Sequence, residues 1–93
     1  MKSRFKTLEE FYKAVDALTE RVALEHHDDD ARRLHALLHE MAWTTSSELL
    51  GELMLAFKKM KKEMKRRYSP ETRLEIKECL KFTIHHRRIL GLK

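Results

Sequence analysis

Apolar side chains recur along this chain with helical spacing almost from end to end. Leu8, Phe11, Val15, Leu18 and Val22 alternate steps of three and four, the seam of a helix that packs along one face, and Tyr12 widens it. Thr7 and Glu10 have the spacing of a capping box, in which the threonine hydroxyl takes a free amide and the glutamate returns to the Thr7 amide. The run His26-His27-Asp28-Asp29-Asp30 then breaks the stripe, and its aspartates suit the cap and positive end of a following helix. A first helix is predicted over residues 8–25.

Between Ala31 and Tyr68 there is no proline, and Gly51 is the only glycine. Leu38, Ala42, Thr45, Leu49, Leu53, Ala56, Met60 and Met64 stay in helical phase, with a repeat near eleven residues. This pattern predicts one long helix over residues 29–67, roughly 58 Å at the usual rise per residue. The competing signal is Thr44-Thr45-Ser46-Ser47, four poor helix formers in which Thr45 and Glu48 have capping-box spacing. A tight turn there would more naturally recruit Gly, Asn, Asp or Pro, so the continuous helix is the expectation and a break into four helices the alternative. Ser69-Pro70 marks a clear helix start, since proline at the first helical position sacrifices no hydrogen bond. The last helix is predicted over 70–90, with Ile76, Leu80, Thr83 and Ile84 on its inner face and Gly91 as its stop. No run alternates with the period of a strand. The expected fold is all-α: a small antiparallel bundle of three helices in a single domain over 1–93, with a long central helix.

The stretch from Trp43 to Phe57 carries two apolar faces. Leu49, Leu53 and Ala56 continue the core stripe, while Trp43, Leu50, Met54 and Phe57 lie roughly 100° around the helix. Two short neighbours give limited cover to both faces, and a chain of 93 residues has a modest core. The second face is therefore expected to meet another copy, making a homodimer through Trp43, Leu50, Met54 and Phe57.

Charge adds a direction to this picture. The net charge of +5 is unevenly spread: residues 1–30 carry −3, residues 31–57 carry −1, and residues 58–93 carry +9. Lys58, Lys59, Lys61, Lys62, Lys65, Arg66 and Arg67 crowd one segment, with Met60 and Met64 at its buried positions. Lys58, Lys61, Lys62, Lys65 and Arg66 are the candidate contacts to a polyanion such as nucleic acid, or to an acidic protein, by counterion release. Asn and Gln are absent and no aromatics interleave the cluster, so base readout is not expected. The plain alternative is a solvated helix face with cations near a helix C-terminus.

The remaining chemistry is sparse. His35 and His39 are one helical turn apart, the spacing of paired imidazole ligands, and are the candidates for a metal- or haem-binding bundle, with Cys79, His85 and His86 as possible completing groups. His39-Glu40 resembles the His-Glu pair of histidine-kinase dimerisation helices; over those two residues the resemblance implies a phosphoryl-accepting His39. Trp43 and Thr44 then depart from that pattern, and no proline follows. There is no Gly-rich phosphate loop, nucleophile elbow or convincing Cys-His arrangement, so no enzyme, small-molecule substrate or cofactor is expected. Cys79 is the only cysteine, the opening residues are too charged for a signal peptide, and no apolar run approaches membrane-spanning length. A cytoplasmic interaction protein that self-associates is the expected class.

Overall fold

The structure is a computed structural model that describes residues 5–43 and 45–89, without the side chains of residues 64–67 and 87–89. It is all-helical among the described residues. Helix α1 spans Leu8–Leu24, α2 spans Asp28–His35 and runs into a π-helical turn at Ala36–Glu40, α3 spans Ser46–Arg67 and α4 spans Pro70–Ile89.

The N-terminus of α1 is capped as its sequence requires. Thr7 is extended, and its hydroxyl accepts the Glu10 amide at 3.1 Å. The return bond differs from expectation: Glu10 accepts the Lys6 amide at 3.4 Å rather than that of Thr7. Phe11, Val15, Leu18 and Val22 are buried, as the seam predicts. Beyond the end of α1 the chain reverses at His26, whose φ of 68° is left-handed. The His26 amide donates to Ala23 and that of His27 to Val22, at 3.0 and 3.1 Å, closing carbonyls the helix end leaves open. The cap of α2 is His27 rather than an aspartate. Asp28, Asp29 and Asp30 instead form the first turn, where the positive end of the helix dipole favours their negative charge.

The predicted continuous helix over 29–67 is not formed; the chain breaks between Glu40 and Ser46, so there are four helices rather than three. Met41 is extended, at φ −109° and ψ 139°, a conformation open to any residue. The chain thus leaves the helix through an extended residue that needs no Gly, Asn, Asp or Pro. On its far side the Thr45 hydroxyl accepts the Glu48 amide at 3.3 Å, restarting the helix. On its near side the Trp43 indole N–H donates to the Leu37 carbonyl at 2.6 Å, occupying an acceptor of the π turn. Thr44 lies outside the described residues.

The four helices neighbour one another in cyclic order, α1 against α2, α2 against α3, α3 against α4, and α4 against α1. Glu25, at the end of α1, bonds Ser69 and Thr72 at the start of α4, whereas Phe11 stacks on Phe82 with ring centres 4.3 Å apart. These contacts set α1 and α4 antiparallel. Tyr68, following α3, bonds Asp30 in the first turn of α2. The α1–α2 and α3–α4 connections therefore share one end, the turn end, and the α2–α3 connection lies toward the other. At 22 residues and about 33 Å, α3 accounts for most of the 35 Å long dimension. On α4, Ile76, Leu80 and Thr83 face inward as predicted, but Ile84 is 39% exposed, and Cys79 and Phe82 complete the buried face. The expected stop at Gly91 lies outside the described residues. No described helix is long and apolar enough to cross a membrane.

Candidate functional site

The break changes the fate of the second apolar face. Because α2 folds back beside α3 instead of continuing it, α3 has neighbours on two sides, α4 on one and α2 with its π turn on the other. Leu50 and Phe57 are consequently 0% exposed within the single chain. Trp43 and Met54 are half-buried and pack against the same core. The expectation that Leu50 and Phe57 wait for a second copy is thus corrected. The chain covers them itself, with α4 and the α2 segment as the neighbours of α3.

At the turn end, polar groups are used to join the two hairpins. The half-buried Glu25 carboxylate accepts the Ser69 amide at 2.8 Å, the Ser69 hydroxyl at 3.0 Å and the hydroxyl of the fully buried Thr72. Ser69 also accepts the Thr72 amide at 3.3 Å, so the capping serine and the glutamate together serve the α4 N-terminus. Desolvation works against the charged carboxylate. The Thr72 hydroxyl, the Ser69 amide and hydroxyl and the nearby His27 outweigh it, holding the Glu25 carboxyl below its ordinary value. Alongside, the His27 ring meets Tyr68 edge-on at 4.5 Å, and Arg21 pairs with Glu71 at 3.3 Å. These groups are engaged in holding helices together. No local pattern marks Glu25 as a hub, since its three bonds cross 44 or more residues.

The histidines are also in use. His39 Nε2 donates to Asp16 on α1 at 2.6 Å, fastening the π turn to the first helix, and His35 Nε2 lies 3.5 Å from Glu40. The two imidazole centres are 5.0 Å apart, so the predicted one-turn stacking is present. Among the described residues, however, no three His, Cys, Asp or Glu side chains are grouped to hold a metal ion. Cys79 is buried in the core and His86 stacks on Phe82 at 5.4 Å, so neither joins the pair.

The lysines of α3 are different. Lys58, Lys59, Lys61 and Lys62 are all exposed, and none forms an ion pair among the described residues. Their three- and four-residue spacings place successive side chains about 5–6 Å apart at Cβ on the outer face of α3. Met60 is buried between them, as expected from its phase. Leu55, 51% exposed, stands one turn before Lys58 and Lys59 on the same outer side. The other two candidates, Lys65 and Arg66, have side chains outside the described residues, as does Met64. The helix dipole does not account for this cluster. It acts within the last turn, whereas Lys58 precedes Arg67, the last residue of α3, by nine positions.

No protein-family model, curated protein or solved structure matches the chain.

Proposed function

We propose that this protein is a non-enzymatic docking module that binds a polyanion through the outer face of α3, with nucleic-acid phosphates as the ligand class. The observation that carries the reading is the set Lys58, Lys59, Lys61 and Lys62, four exposed ammonium groups crowded on one segment of α3 without carboxylate partners among the described residues. Lys13 and Lys81, by contrast, pair with Glu9 at 3.6 Å and with Glu78 at 3.7 Å. Like charges one turn apart oppose helix formation by about 0.2–0.5 kcal/mol per pair. An anion lying along the face relieves that repulsion, and release of its condensed counterions drives the binding. Lysine is a point charge without the planar fork of arginine, which suits a backbone contact rather than a base edge. Binding of this kind is insensitive to sequence and sensitive to salt.

The test is fluorescence anisotropy with mixed-sequence DNA and RNA in low-salt buffer, using polyglutamate as the acidic-protein comparison. The account expects both nucleic acids to bind and the Lys58→Ala, Lys61→Ala, Lys62→Ala triple variant to lose most of that affinity while remaining folded. Equal binding by the variant, or preference for polyglutamate, contradicts it.

A further inference from the structure

We propose that two copies of the chain form a dimer by exchanging their α1–α2 hairpins, the segment between Glu40 and Ser46 straightening so that α2 and α3 become one helix. The inference is independent of polyanion binding and starts from the mismatch between sequence pattern and structure at the break.

The residues of this connection carry no helix breaker. Met41, Ala42, Trp43 and Thr45 include no glycine or proline, and the only left-handed non-glycine residue among those described is His26, at the opposite end of α2. Apolar and small residues at Leu38, Ala42, Thr45, Leu49 and Leu53 keep helical phase straight through the break. Two side-chain bonds hold the bend on its flanks, the Trp43 indole to Leu37 and the Thr45 hydroxyl to Glu48. Straightening exchanges them for backbone bonds of the i to i−4 kind and lets the wide π turn relax to an ordinary helical turn. Met41, a half-exposed apolar residue in the bent form, marks the same place.

The hairpins on either side are stiff units. The first turns at left-handed His26, and the second has only Tyr68 and Ser69 between its helices. The bonds that join one hairpin to the other all run across the hinge in sequence: Phe11 to Phe82, Glu25 to Ser69 and Thr72, Asp30 to Tyr68, and Arg21 to Glu71. By contrast His39 to Asp16 lies wholly within the first hairpin. Exchange therefore remakes the inter-hairpin bonds between copies without altering them. The balance between monomer and dimer is left to the hinge and to concentration, the situation in which short hinges favour swapping.

The experiment is sedimentation equilibrium from micromolar to millimolar protein, after refolding at high concentration, on the wild type and two hinge variants. The wild type should populate species of 11.2 kDa and twice that mass. Ala42→Pro suits the bent form, because Met41 already has the extended backbone a following proline requires, and proline is barred from the straight helix. It should remain folded by circular dichroism and stay monomeric throughout. Thr45→Ala removes one cap from each of two hinges and should tighten the dimer about 30-fold. In a dimer made from equal parts isotope-labelled and unlabelled chains, the Phe11–Phe82 contact should appear between chains in filtered nuclear Overhauser spectra. Monomers at every concentration, Thr45→Ala included, overturn the proposal. A dimer whose Phe11–Phe82 contact is only within chains also overturns it, since the copies then associate without exchange.

Discussion

At the turn end of the bundle, connections of two and three residues meet, and Glu25, Asp30, Tyr68, Ser69 and Thr72 bond across from one hairpin to the other. At the far end, the α2–α3 connection is held by one indole donor and one threonine cap, both local in sequence. The first end fixes how the hairpins sit together. The second determines only where the chain leaves one helix and enters the next. A small bundle can thus concentrate its long-range polar bonds at one end and leave the other connection to bonds between near neighbours in sequence.

This contrast can be broken most severely through the core that both ends share. Phe57→Ala should destabilise the protein by about 3–5 kcal/mol in urea denaturation, because its ring is enclosed by the chain itself. A loss below about 1 kcal/mol would mean the second face is not internal. Next in size is Glu25→Gln, expected to remove about 1–2 kcal/mol, since a charged acceptor of three bonds is replaced by a neutral one at a half-exposed site. Its pH signature follows from the lowered carboxyl. The contribution is present in full above the ordinary glutamate value of 4.5 and is lost as pH falls through the lower folded value. In acid titrations the wild type should therefore lose more stability below pH 4.5 than Glu25→Gln, and parallel curves would show that Glu25 does not hold the turn end. At the hinge, Thr45→Ala should remove roughly 1 kcal/mol from the monomer, measured at low concentration, with no comparable acid dependence. Smallest is Lys61→Ala, which leaves thermal stability within about 0.5 kcal/mol because the side chain is exposed and unpaired.

How far the sequence could be read follows the same division. Local rules served well: the seam of α1, the Thr7 and Thr45 hydroxyl caps and the Ser69-Pro70 start all need only three or four neighbouring residues to be recognised. Glu25, Asp16 and Asp30 were silent because their partners are distant in sequence. The misread break is the instructive case. Helical phase continues across residues 38–53, yet α2 folds back against α3, and the compact bundle buries apolar surface that a straight helix would leave in solvent. Of the four residues expected at a dimer face, Leu50 and Phe57 are enclosed by the single chain while Trp43 and Met54 are half-buried. The exposure of Lys58, Lys59, Lys61 and Lys62, by contrast, follows from the helical phase that buries Leu53, Ala56 and Met60.

The most direct test of the functional account is the salt dependence of binding to a mixed-sequence DNA duplex. If Lys58, Lys61 and Lys62 each neutralise one phosphate, the slope of log K against log salt should be less steep in the triple alanine variant by about 2.7, from 0.9 per phosphate. Indistinguishable slopes for the two proteins would contradict it, because the outer face of α3 would then not be where the polyanion lies.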